Sequence, residues 1–187
     1  MIRLPIPVLF VLLATAGPNP ARADEAAWQA LGRGGHIALM RHAETVSGVG
    51  DPPGFRLDDC ATQRNLSEAG RDQARRIGAA FRSHGVDASR ILSSAWCRCL
   101  ETGRLLGLGP VSVFEPINSF FNDRGAGSKQ TAAVREQMAA WTGPGTLVLV
   151  THQVNISALT DIYPASGEVV VLQPGGQIVG RLRIPAQ

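Results

Sequence analysis

The sequence predicts a three-layer α/β/α domain with a mainly parallel central sheet. Three observations carry that expectation. Short apolar runs alternate with segments of helical period along the chain. Their order reads β-α-β-α-β-α-β-α-β-β, the pattern of an α/β domain with helices on both faces of its sheet. The strongest strand signal, TLVLVTH at 146–152, contains LVLV without a polar break, as a strand buried on both faces requires.

HIALM, 36–40, reads as the first buried strand. The next helix is predicted over NLSEAGRDQARRIGAAFRSHG, with Ser67 as its N-cap and Gly85 as its stop. Leu66, Gly70, Ala74, Ile77, Gly78 and Phe81 fall on one face of it, and Arg71, Asp72, Arg75 and Arg82 mostly fall off that face. SRILSS at 89–94 is a strand, 95–107 a helix, and VSVFE at 111–115 a third strand. Residues 116–127 read as loop and 128–141 as helix. After the 146–152 strand comes a short helix in QVNISALTD, and GEVVVLQP and GQIVGRLRIP close the chain as strands around a Pro-Gly-Gly turn.

Residues 1–23 read as a secretory signal: Arg3, an apolar run broken by Pro5 and Pro7, and an Ala-x-Ala site at Ala21 and Ala23 with cleavage after Ala23. The run is too short and interrupted to span a bilayer. No stable membrane span is therefore expected after cleavage, and residues 24–187 form a single domain in the periplasm or outside the cell. Removing the leader takes away Arg3 and Arg22 and no acid, leaving 16 basic and 15 acidic residues. That near-balance gives no reason to expect a nucleic-acid partner. Three cysteines in an exported chain point to one disulfide and one spare thiol. Cys97 and Cys99 are too close for an easy bridge, so the expected pairing is Cys60 with Cys97, with Cys99 as the alternative.

In a parallel α/β sheet, sites form at the carboxyl ends of strands. The first strand ends at Arg41-His42, the second at Ser93-Ser94 shortly before Arg98, and the 146–152 strand at Thr151-His152. Two arginines and two histidines thus converge on one rim. Guanidinium groups hold an oxyanion through paired N–H donors. A neutral imidazole among them is a nucleophile, and a protonated one would bind the oxygens of a transferring phosphoryl group. An acid for the leaving oxygen is expected from the loop after the third strand, with Asp123 first and Glu115 as the alternative. Arg64, just before a helix, is read first as a surface arginine, with a reach to the phosphate as the alternative, and Trp96 and Trp141 as packing residues. His36 and His84 are read as structural, and the role of Glu44 is left open.

These residues match a known pattern. LMRHAET resembles the opening Arg-His motif of the histidine phosphatase superfamily, also called phosphoglycerate-mutase-like. NLSEAGRDQARRIG, ILSSAWCRCLET and LVLVTHQVNISAL resemble its later motifs in order, over about residues 35–160, with Ala95 where proline is usual. The resemblance implies the phosphoglycerate-mutase-like fold, phosphorylation of His42, and a phosphate held by Arg41, Arg98, His42 and His152. It implies no cofactor and no metal. The usual position of the family's acid falls on Ser119. The leader and FRLDDCATQRNLS are similar to an exported branch associated with removing phosphate from lipopolysaccharide heptose, so a phosphorylated small molecule or glycan is the expected substrate. Two other readings stand beside a phosphomonoesterase: a metal-dependent hydrolase using His42, Glu44, Asp123 and His152, and a phosphate- or glycan-binding module without turnover.

Overall fold

The computed structural model describes residues 20–48 and 50–184. Among these residues, six strands form one sheet: β1 (Ile37–Arg41), β2 (Arg90–Ser93), β3 (Val111–Val113), β4 (Leu147–Thr151), β5 (Val169–Leu172) and β6 (Ile178–Leu182). Their spatial order is β3-β2-β4-β1-β5-β6. The β1–β4, β2–β4 and β2–β3 pairs are parallel; β5 runs antiparallel to β1, and β6 antiparallel to β5. The sheet is therefore mainly parallel with an antiparallel edge, and among the described residues five helices cover its two faces.

Alternation along the strands sorts the core. Ala38, Met40, Ile91, Val148, Val150, Val169 and Val171 face one layer; Ile37, Leu39, Leu92, Leu147, Leu149, Val170 and Leu172 face the other. Helix α2 (Glu68–Ser83) contributes Ile77 and Phe81 to the first layer, and α3 (Cys97–Leu105) contributes Cys99. Helices α4 (Gly127–Ala139) and α5 (Gln153–Thr160) contribute Val134, Met138, Ile156 and Leu159 to the second.

Helix α2 begins where its cap dictates: the Ser67 hydroxyl accepts the Gly70 N–H at 3.0 Å. It ends before Gly85, whose φ of 67° suits glycine. Gly70 and Gly78 serve a second purpose. A Cβ at Gly70 would lie 1.8 Å from the Glu44 carbonyl oxygen, and one at Gly78 would lie 1.9 Å from that of Leu106. The helix backbone thus presses directly on the chain two residues past His42.

Three details differ from the sequence reading. A further helix, α1 (Pro20–Arg33), packs against β5 and β6 through Ala27, Ala30 and Leu31. The third strand stops at Val113, so Glu115 lies in a one-turn 3-10 helix (Glu115–Ile117) rather than at a strand end. The loop after it contains a second such turn, Arg124–Ala126. Most of the expected leader, residues 1–19, lies outside the described residues, and 20–23 form the first turn of α1.

Candidate active site

His42 follows β1 and is 3 % exposed. Its N–H donates to the Thr151 carbonyl at 2.9 Å, which extends the β1–β4 ladder by one residue, and its carbonyl accepts from Gly167 N–H at 3.1 Å. The ring is oriented by a 2.8 Å contact between Nδ1 and the Ala43 carbonyl. A carbonyl can only accept, so Nδ1 carries the ring proton and Nε2 keeps its lone pair. Burial holds the His42 pKa down at about 3, with the charges of Arg98, Arg41 and Arg64 adding to the effect; the Ala43 carbonyl opposes it. His42 is therefore a neutral imidazole with a free, nucleophilic Nε2.

His152, immediately after β4, places its ring centroid 5.5 Å from that of His42. Its Nε2 meets the Ser94 hydroxyl at 2.8 Å and lies 3.5 Å from the Cys99 thiol. Ser94 also reaches Asn118 Oδ1 at 3.2 Å, and that oxygen accepts the Ala95 N–H at 2.8 Å. The pKa of His152 is well below its ordinary value, first from burial, then from His42 and the three arginines. The pocket thus holds both rings neutral, whereas the sequence reading allowed one to be protonated. The physical reason is first burial, which strips water from both rings, and then the positive charge that three guanidinium groups already supply.

Those three are Arg41, Arg64 and Arg98. Arg41 donates to the Pro164 carbonyl at 2.8 Å, and Arg64 to the Gly48 carbonyl at 3.1 Å. Arg98, 4 % exposed, forms a two-point pair with Asp51 at 2.7 and 3.1 Å. In all three the Nε–H is buried without an acceptor. Three guanidinium groups whose charges act on two neutral imidazoles, offset by one carboxylate, make a basic pocket suited to an anion.

The structure brings together His42, His152, Arg41 and Arg98 from three strand ends, as the topology rule demands. It adds Arg64, for which the sequence reading preferred a surface role and kept a reach to the phosphate as the alternative. Its proximity to a helix start was the only local hint, and its effect on both histidines corrects that view. Trp96 packs as expected, yet its indole N–H also donates to Asp51 at 3.1 Å and its ring centroid stands 5.2 Å from that of His152. Ser94, Asn118 and Asp51 had no assigned role. Ser94 was legible as a strand end, whereas Asp51 sits in a Pro-Gly-rich loop with no periodic signal. Asp123 and Glu115 are both exposed, and neither carboxylate bonds to a member of the cluster. Asp123 belongs to the loop whose Phe120, Phe121 and Arg124 line a groove of about 360 Å³ with Gln153, the residue after His152. Glu44 is exposed and meets α2 through its backbone. His36 and His84 have structural partners, the Gly34 carbonyl and the stacked Trp28 ring.

Cys60 is joined to Cys97, and Cys99 is a buried free thiol that desolvation pushes up to about 12. The disulfide ties the 46–66 loop to the first turn of α3, next to Arg98. Gln63 adds a second tie by accepting the Cys97 N–H at 3.0 Å.

The sequence model for the histidine phosphatase superfamily (branch 1) matches residues 37–116, a span containing His42, Arg64 and Arg98. With the ordered motifs and the fold, the chain is similar to that superfamily over this span. Solved structures agree in fold. The protein histidine phosphatase SixA complexed with tungstate aligns at 15% identity, with a TM-score of 0.55, over 76% of this chain and 92% of that one. A SixA-type protein from Agrobacterium tumefaciens aligns at 24% identity, with a TM-score of 0.53, over 80% and 98%. The protein TTHB049 from Thermus thermophilus aligns at 18% identity, with a TM-score of 0.57, over 80% and 99%. At these identities they show the fold alone. A search of curated protein sequences found no match.

Proposed function

We propose that the chain is an exported, metal-independent phosphomonoesterase that works through a phosphohistidine on His42. The observation that carries this is the neutral His42, its Nε2 unengaged, in a pocket where three arginine Nε–H groups are buried without acceptors. His42 Nε2 attacks phosphorus as the P–O bond to the alcohol breaks, and Asp123, with Glu115 as the alternative, gives the departing oxygen its proton. Water then attacks the phosphohistidine, passes a proton to the same carboxylate, and releases phosphate and neutral His42. The arginines bear the charge on the transferring group, and His152 donates to one of its oxygens once the anion raises its pKa. Three guanidinium groups repel a cation, which disfavours the metal-dependent alternative.

Export is supported by the leader pattern in 1–23 and by the disulfide, which persists in oxidising compartments. The substrate class proposed is a phosphorylated small molecule or glycan, including the heptose phosphates of the exported branch that the sequence resembles. The deciding experiment is hydrolysis of an aryl phosphate by residues 24–187 at pH 4–8, with and without EDTA, beside His42→Ala. Turnover that survives EDTA and vanishes in the variant is expected. Full activity in His42→Ala would sink the mechanism. Phosphate binding without turnover of any ester would favour the binding module.

A further inference from the structure

Asp51 is the one carboxylate, among the described residues, that bonds to an arginine of the site. Its side chain is 7% exposed, and four N–H donors converge on its two oxygens. Oδ1 accepts from Arg98 Nη1 at 2.7 Å and from the Arg64 backbone N–H at 3.0 Å. Oδ2 accepts from Arg98 Nη2 at 3.1 Å and from the Trp96 indole at 3.1 Å. Burial alone would raise its pKa, but the hydrogen bonds and charge of Arg98, with the Arg64 and Trp96 donors, turn the net shift downward. A carboxylate with both oxygens occupied by donors stays ionised and has no proton to give. It is not the missing acid.

We infer that Asp51 is the positioning residue for Arg98, and that it sets how tightly the pocket holds a phosphoryl group. The inference rests on the phosphatase reading above and deepens it. Asp51 engages both Nη atoms of Arg98 and fixes the plane of the guanidinium. The charge of Arg98 is thereby held at a fixed place beside His42 and His152. Charge balance points the same way. Three guanidinium groups and one carboxylate leave two net positive charges, equal and opposite to a phosphoryl dianion. Asp51 is also held in place independently of Arg98. The indole of Trp96 and the N–H of Arg64 would lose their acceptor if it swung away. The loop that carries it is closed onto α3 by the Cys60–Cys97 bond and by Gln63. These restraints fit a fixed part of the pocket rather than a plug that substrate displaces.

The test compares wild type with Asp51→Asn and Asp51→Glu. The readouts are KM and kcat on two esters, one with a good aryl leaving group and one with an alkyl leaving group, inhibition by inorganic phosphate, and thermal melting. Asp51→Asn is expected to weaken phosphate inhibition and raise KM by about 10- to 100-fold, the effect of losing a charge-assisted hydrogen bond, and to do so equally for both esters. Asp51→Glu keeps the charge and recovers part of the loss; it carries the test alone if the amide variant does not fold. A lower melting temperature with unchanged KM and phosphate inhibition would mean a purely structural role and overturn the inference. Tighter phosphate binding in Asp51→Asn would make Asp51 a competitor, and a loss confined to the alkyl ester would make it the acid; either overturns it as well. If the wild type binds phosphate without turnover, and Asp51→Asn weakens that binding, the positioning role stands while the phosphatase reading fails. A wild type that binds no phosphate overturns both.

Discussion

The strand ends that carry His42 and His152 and the loop at 46–66 that carries Asp51 and Arg64 build opposite kinds of precision into one pocket. His42 is placed by main-chain bonds: one to Thr151 that continues the sheet ladder, one from Gly167, and a ring contact to the next carbonyl. Its position follows from strand pairing and needs few particular side chains. The loop has no ladder. It is held by a disulfide, a buried ion pair, and side chains such as Gln63 that accept or donate to stray backbone groups. The proposed nucleophile is thus fixed by backbone and the charges by side chains. Damage to the two should separate, with the chemical step sensitive to one and phosphate affinity to the other.

The sharpest break is His42→Ala, which should lower turnover by about 10⁴-fold or more, as loss of a nucleophile does, while phosphate inhibition is largely retained. The next is Arg98→Ala. It removes a phosphate donor and leaves the Asp51 charge buried without its partner, so both turnover and stability should fall, the latter by about 3–5 kcal/mol. Chemical denaturation measures that, and Arg98→Ala no less stable than wild type would mean the pair is not buried as described. A Cys60→Ser/Cys97→Ser variant opens a loop with a sequence separation of 37. It should lose about 3–4 kcal/mol by loop-closure entropy and should raise KM more than it lowers kcat. The reverse pattern would show that the loop governs the chemical step.

The smallest step expected, taken per pH unit, is a pH dependence on the strand-end side. The folded pKa of His42, about 3, lies below its ordinary 6.5, and that of His152 is lowered too. Between those values the unfolded chain binds more protons than the folded one. The histidines' contribution is full above about pH 6.5 and is lost as pH falls toward 3, with a slope of at most about 1.4 kcal/mol per pH unit for each group. Melting temperature should therefore drop on acidification, less steeply in His42→Ala, and saturating phosphate should flatten the curve. Equal slopes in wild type and variant would mean that His42 is hydrated and not desolvated.

Local pattern made much of this protein legible. The Ser67 cap, the Gly85 stop and the buried stripe from Gly70 to Phe81 belong to one helix and follow from the 3.6-residue period and cap chemistry. The LVLV run named β4, and the placement of sites at strand ends singled out Arg41, His42 and His152 before any contact was known. The α1 segment has the i, i+3, i+4 spacing of Ala27, Ala30 and Leu31, but its first turn falls within the residues expected to form a leader.

What the sequence by itself determined, then, was which segments are helices and strands and which residues end the central strands, because those properties depend on neighbours along the chain. Tertiary structure decided the rest: the order β3-β2-β4-β1-β5-β6 that sets β1 beside β4 and so brings His42 against His152, the choice of Cys97 over Cys99, and the recruitment of Asp51 and Arg64. Asp51 and Arg98 are separated by 47 positions, and their pairing has no period or spacing to announce it. It exists because burial strips water from both charges and leaves each the other's best remaining partner.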